Sequence, residues 1–317
     1  MYGENEMNVL ILTADETSWQ KELKESYHIN AFAIYRYRYE KNYIKRGLRK
    51  LHSILPLPGY QIWFGDWWKN LQNVDVIIAI AYKPTYRMFK MIKKKYPHIR
   101  QILYWWDPVS KTISPDNVSE SICEKWIFSK KDATRFHLNY NPQFFAHAPQ
   151  SIEGVSSKIK YDVMFLGRGG GVYNQRVEIL KGFDNACKKL GMMTYFGVYY
   201  SHKFMKEKPF AINTIICEDE YTEIVQQSRA MLDLTEPGQE WMTLRPVEAL
   251  FYHKKLITNN LDIVNEPLYD PQNIFLLGKD SYDNLKDFLE KPIKELPQEV
   301  FDFYSTRAWL ERFKIDE

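Results

Sequence analysis

The sequence predicts an α/β protein made of two successive doubly wound domains facing a cleft. Short apolar or β-branched runs alternate with helix-like segments along nearly the whole chain, the order that builds βαβ units and parallel sheets. A polar stretch from Pro149 to Lys158 interrupts the alternation, which then restarts. With 317 residues the chain is long enough for two domains of this kind.

The first predicted strand is Met7–Thr13 and the second His28–Tyr35. Val74–Ala81 is a near-continuous apolar run, as expected of a strand buried on both faces. A basic helix is expected from Thr85 to Tyr96, then strands at Ile99–Trp106 and Lys125–Ser129. After the interruption come a strand at Tyr161–Leu166, a glycine-rich turn, and a helix over Tyr173–Leu190. Further strands are expected at Thr194–Phe196, Ala230–Leu234, Lys255–Thr258 and Ile274–Leu277, with a helix over Leu244–His253 and a helical tail over Gln298–Phe313. The expected domains are residues 1–155 and 156–295, with residues 296–317 as a C-terminal helix.

Composition narrows the classes of function. Apolar residues make up 45% of the chain, enough for a buried core. Cys123, Cys187 and Cys217 form no CxxC pair and read as reduced thiols. The chain is expected to carry no secretory leader and no membrane span, since no apolar run approaches about 20 residues, so a cytoplasmic location is expected. The net charge is only +3, which argues against nucleic acid as a partner. The segment from Arg36 to Lys50 nevertheless holds seven basic residues against one acidic. With its interleaved aromatics it reads as a surface that tracks phosphates, lies on an anionic membrane, or is simply solvated.

The richest segment for chemistry is Pro237–Asn260, PGQEWMTLRPVEALFYHKKLITNN, which reads as loop, helix and strand. Thr243 is placed to cap the helix, and Leu244, Val247, Leu250 and Phe251 have the spacing of a buried face. Thr243 and Arg245 would then stand at a helix N-terminus, which favours a phosphate. Arg245 can add a charge-assisted bond to a diphosphate, and Glu248, one turn on, can accept two ribose hydroxyls. A capped helix with a surface Arg–Glu pair fits the same residues.

Phe165–Arg176, FLGRGGGVYNQR, follows a strand and opens a helix, the context in which a glycine-rich turn binds a ligand. Gly167, Gly169 and Gly170 permit close backbone approach, and Arg168 and Arg176 add positive charge. A tight turn without a ligand is the alternative. Asp107 follows an apolar strand in Trp105-Trp106-Asp107-Pro108, where Pro108 ends the strand. Its carboxylate is expected to be buried beside the tryptophans, with a raised pKa suited to a general base; a turn-capping aspartate is the other reading. Asp15, after the first strand, is a second candidate for the base. Asp66 is weaker.

These segments resemble the GT-B glycosyltransferases, in particular bacterial enzymes of lipopolysaccharide and capsular polysaccharide synthesis. The resemblance spans residues 75 to 290 and rests on MTLRPVEAL, KKLITNN and NIFLL, together with ILYWWDP, WIFSKKDA and LNYNPQFF. It implies two Rossmann-like domains, a nucleotide-sugar donor held by the C-terminal one, an acceptor bound by the N-terminal one, and a last helix that packs back on the N-terminal domain. The implied donor set is Gly167, Arg168, Gly169, Gly170, Arg176, Gln239, Thr243, Leu244, Arg245 and Glu248, with Asp107 or Asp15 as base. Glu240 and Glu248 have the spacing of retaining members, but Trp241 stands where those carry glycine, so the stereochemical course stays open.

The expected activity is transfer of a sugar from a nucleoside-diphosphate donor, by default a UDP-sugar, to a saccharide or lipid-linked acceptor. Peripheral association with the cytoplasmic membrane is expected. Without a DxD motif or histidine ligand spacing, no cofactor or metal is expected. A nucleotide-sugar epimerase and a non-catalytic sugar-binding module remain alternatives.

Overall fold

The computed structural model describes residues 7–13, 18–36, 43–55, 57–146, 158–170, 174–200, 208–236 and 241–315. Asp15, Gln239 and Glu240 lie outside these residues. The chain divides into two units. Unit 1 comprises residues 1–142, 146–148 and 306–317; unit 2 comprises 143–145 and 149–305. Among the described residues each unit holds a six-stranded sheet in which every pairing is parallel.

Unit 1 runs β1 (Val9–Thr13), α1 (Ser18–Tyr27), β2 (Asn30–Ala33), α2 (Tyr43–Ile54), β3 (Val76–Ile80), α3 (Lys83–Lys95), β4 (Arg100–Trp105), β5 (Glu124–Ile127), α4 (Lys130–Phe136) and β6 (Asn139–Tyr140). The sheet order is β2-β1-β3-β4-β5-β6. β3, VIIAI, is buried at every position, which explains why it shows no polar alternation: helices cover both of its faces. α4 starts where Ser129 caps it, the hydroxyl accepting from the Asp132 amide.

Unit 2 runs β7 (Tyr161–Gly169), α5 (Asn174–Lys189), β8 (Thr194–Tyr200), β9 (Ala211–Ile212), α6 (Glu218–Gln226), β10 (Ser228–Asp233), α7 (Arg245–Phe251), β11 (Lys255–Thr258), β12 (Ile274–Leu276), α8 (Leu285–Glu290) and α9 (Gln298–Phe303). Its order is β12-β11-β10-β7-β8-β9, so the strand order reverses between β7 and β10. β7 alternates between two cores. Val163 and Phe165 pack with Leu180 and Phe183 of α5 and with Leu285 of α8. Met164 packs on the other face with Val225 of α6 and Val247 of α7. Each such side chain contributes about 1.5–3 kcal/mol when fully buried.

The helical tail is two short helices, α9 and then α10 (Thr306–Glu311). Tyr304 is fully buried in the core of unit 2, and the chain counts with unit 1 from Thr306 onward. Within unit 1, Trp309 of α10 meets Tyr104 and Trp19 edge to face at 5.3 and 5.6 Å between ring centroids. Its carbonyl accepts from Asn141 Nδ2 at 2.9 Å.

Several boundaries differ from the sequence expectation. β8 continues to Tyr200, because its partner β7 continues to Gly169. α6 begins at Glu218, so Glu218, Asp219 and Glu220 form its first turn, where acidic residues complement the helix dipole.

Candidate donor site at the carboxyl edge of unit 2

In an open parallel sheet, ligands bind beyond the carboxyl ends of the strands, where the order reverses. In unit 2 that place is the end of β7 and β10. β10 ends on Asp233, buried to 4% exposure. Its Oδ1 accepts from the Thr243 hydroxyl at 2.9 Å and its Oδ2 from the Thr258 hydroxyl at 3.0 Å. Burial pushes its pKa up, opposed by the charges and bonds of Arg245, Thr243, Thr258 and Arg176. One step further on, Asn259 Oδ1 accepts from the amide and hydroxyl of Thr235, and its Nδ2 donates back to the Thr235 carbonyl. Thr258 and Asn259 of the KLITNN segment thus fix the end of β10.

The loop after β10 returns at Thr243. Contrary to the sequence reading, Thr243 is not the N-cap of α7. That position is Leu244, with helical backbone and no side-chain cap. The Thr243 hydroxyl still accepts from the Arg245 amide at 3.2 Å, and its one proton goes to Asp233.

Arg245 turns inward. Its Nη2 donates to the Leu166 carbonyl of β7 at 2.9 Å and its Nη1 to the Leu232 carbonyl of β10 at 3.3 Å. Its Nε lies 3.5 Å from Glu248 Oε2. Burial works against its charge, but Tyr221, Glu248 and Asp233 outweigh that and raise its pKa. The guanidinium therefore bridges the two strands at the switch point. Glu248 also accepts from the Tyr221 hydroxyl at 2.7 Å through the same Oε2. Its Oε1 accepts no hydrogen bond among the described residues.

The glycine-rich segment also differs from expectation. Gly167, Arg168 and Gly169 are not a turn; they extend β7, in register with Val198, Tyr199 and Tyr200 of β8. A Cβ on Gly169 would stand 2.5 Å from side-chain atoms of both Val198 and Tyr200, and one on Gly167 2.7 Å from the Phe165 ring. These two glycines make room for neighbouring side chains. Gly170, with φ +86°, has the left-handed backbone of a turn residue. Arg168 is exposed and by strand alternation shares the face of Met164 and Leu166, toward α6 and α7. Arg176, in the first turn of α5, lies with Nε 3.4 Å from Glu236 Oε1, both side chains largely buried.

In unit 1, Asp107 follows β4. It is half-buried rather than enclosed by tryptophans, because those pack elsewhere. Trp105 Nε1 donates to the Ile113 carbonyl at 2.9 Å, and Trp106 meets Trp19 at 5.4 Å between ring centroids. The partner of Asp107 is the Tyr82 hydroxyl, 3.4 Å from Oδ2. Asp66, the weaker candidate, is exposed and paired with Arg36 and Lys69. Among the described residues no cluster of His, Cys, Asp and Glu is arranged to hold a metal ion.

Sequence reading missed Asp233, Tyr221 and Glu236. An acid closing the apolar run Ala230-Met231-Leu232 was a visible signal for the first. Tyr221 had none, since its pairing with Glu248 spans two helices.

No protein-family model matches the sequence, and no curated protein matches it. Solved structures do. A glycosyltransferase of kitacinnamycin superposes over 98% of this chain and 100% of its own, with TM-score 0.50 and 9% identity. The fold is that of the GT-B glycosyltransferases. It consists of two Rossmann-like units in one chain. A UDP-GlcNAc 2-epimerase from Methanocaldococcus jannaschii matches at TM-score 0.49 and 14% identity, over 96% of this chain and 98% of its own. Staphylococcus aureus TarM, determined with UDP and saccharide ligands, matches at 0.46 and 11%, over 75% of this chain and 54% of its own. No helix among the described residues is long and apolar enough to cross a membrane.

Proposed function

We propose that the chain is a glycosyltransferase that moves a sugar from a nucleoside-diphosphate donor to an acceptor hydroxyl. The observation that carries the reading is Glu248. It stands on α7 beside the switch point of a GT-B unit, oriented through Oε2 by Tyr221 and Arg245, with Oε1 left to accept ribose hydroxyls. Arg168, exposed at the end of β7, is the cation proposed to meet the diphosphate, with the Gly170 turn beside it. Arg245, Thr243 and Arg176 act as positioning residues, because their polar atoms already serve Glu248, Asp233, Glu236 and the strand carbonyls.

In the reaction, an acceptor oxygen attacks the anomeric carbon, the bond from that carbon to the diphosphate breaks, and the nucleoside diphosphate leaves with the electron pair. The acceptor proton passes to a base, for which Asp107 of unit 1 is the proposed residue. UDP is the proposed nucleotide, a saccharide or lipid-linked glycan the proposed acceptor, and bacterial surface polysaccharide the proposed product. The donor set contains no carboxylate pair of DxD type, and the reaction is proposed to need no metal.

Calorimetric titration with UDP, GDP, CMP and dTDP, with and without magnesium, tests this. Binding of one nucleotide independent of magnesium, lost in Glu248→Ala, is the expected result. No binding of any nucleotide would overturn the donor site. Conversion of the donor sugar without an acceptor would point to an epimerase instead.

A further inference from the structure

α2 is inside out. Ile44, Leu48, Leu51 and Leu55 recur at i, i+4, i+7 and i+11, a single stripe on a helix. The stripe faces solvent: Ile44 is 75% exposed, and Ile54 beside it 70%. The opposite, polar face packs against the body of unit 1. There the Arg49 guanidinium lies over the Tyr35 ring at 4.2 Å. Trp63 Nε1 donates to His52 Nδ1 at 3.0 Å. Arg87 of α3 donates to the carbonyls of His52 and Ser53, both at 3.0 Å. A surface helix of a globular protein ordinarily does the reverse, burying its apolar stripe and exposing its charges.

We propose that the outward face of α2 docks on an anionic lipid bilayer. Charge selects this occupant. Neither α2 nor α3 contains an acidic residue. Lys50 is exposed one turn before Ile54, and the face of α3 that Arg87 joins to α2 carries exposed Lys83, Lys90 and Lys94 at i, i+7 and i+11. Pairing of two copies through this face would bring like charges together. An anionic bilayer satisfies both features: the aliphatic side chains enter the boundary between headgroups and acyl chains, and the lysines meet the headgroups. The inference is independent of the donor site, since α2 and α3 belong to unit 1 and the donor residues to unit 2.

The test is flotation of the full chain with phosphatidylglycerol–phosphatidylcholine vesicles and with pure phosphatidylcholine vesicles. The protein is expected to float with the anionic vesicles, far less with the neutral ones, and less at high salt. Leu48→Ser with Leu51→Ser is expected to weaken binding roughly tenfold or more, given the apolar area each leucine removes from water. It should leave the melting temperature and nucleotide affinity unchanged, because both side chains already face solvent. Lys50→Glu with Lys90→Glu, leucines intact, is expected to weaken binding to the anionic vesicles only. The proposal is overturned if the wild type does not float with anionic vesicles, or if the leucine variant floats as well as the wild type. It is equally overturned if the wild type is a dimer in solution that the same leucine substitutions dissociate, which would assign the face to a second copy of the chain.

Discussion

Tyr221 donates a 2.7 Å hydrogen bond to Glu248 Oε2, joining α6 to α7. Burial first, and then the Glu248 charge, hold the phenol well above its ordinary pKa, so it stays a donor through neutral pH. The bond fixes one carboxylate oxygen; the other is the one proposed to accept from the nucleotide. Glu248→Ala should therefore weaken nucleotide binding by about 2 kcal/mol, roughly thirtyfold, as expected for lost bonds to a charged acceptor. Tyr221→Phe should weaken it less, since Arg245 still orients the carboxylate. Calorimetry on both variants checks the order; equal affinities across wild type and variants would remove Glu248 from the site.

Arg245 is expected to behave as a structural residue. Arg245→Ala leaves the carbonyls of Leu166 and Leu232 and the Glu248 carboxylate short of a partner, a loss of about 3 kcal/mol for a partly buried pair. The measurement is chemical denaturation. If stability is unchanged while nucleotide affinity collapses, the guanidinium is a ligand contact and not a bridge between β7 and β10.

Arg100 closes unit 1 with one side chain. Its Nε and Nη2 donate to Glu124 at 2.6 and 3.0 Å, and Nη1 and Nη2 donate to the carbonyls of Lys314 and Phe313, each at 2.7 Å. Burial alone would raise the Glu124 pKa, but the bonds from Arg100 and Trp126 and the Arg100 charge bring it below the ordinary glutamate value. A carboxylate with a depressed folded pKa contributes stability that is fully present above its unfolded value and is lost as pH falls through the folded one. Glu124→Gln should flatten that part of the acid limb of a stability–pH curve and leave neutral-pH salt dependence small, as the pair is partly exposed.

Glycine substitutions separate packing from conformation. Gly169→Ala places a Cβ against Val198 and Tyr200 and should cost about 1–3 kcal/mol by overpacking. Gly182→Ala, in the middle of α5 with open space around its Cβ, should stabilise by about 0.5–1 kcal/mol. Thermal melts of the two variants should shift in opposite directions.

Asp107→Asn should abolish turnover while leaving nucleotide affinity as it is, because the residue belongs to unit 1 and the proposed nucleotide residues to unit 2. Tyr82→Phe, which removes the only hydroxyl bonded to Asp107 among the described residues, should lower the rate without eliminating it. Full activity of Asp107→Asn would exclude it as the base.

The sequence by itself determined the succession of β and α segments. Apolar runs such as VIIAI and the tandem βαβ order reflect burial on both faces of parallel strands, a property local enough to read in a short window. It also located Arg245 and Glu248 on one helix, because helical spacing is local. Only the tertiary structure decided what those residues do. The Arg245 guanidinium is committed to carbonyls 13 and 79 residues away in the chain, and Asp233 is held by one hydroxyl from the loop before α7 and one from the end of β11. Gly167 and Gly169 read as a ligand-binding turn until the register with β8 showed them as strand residues giving space to Phe165, Val198 and Tyr200. α2 carries apolar residues at helical spacing, but which of its faces meets the protein is set by Tyr35, Trp63 and Arg87, residues outside the helix. Periodicity assigns a face its chemistry; long-range packing assigns it its neighbour.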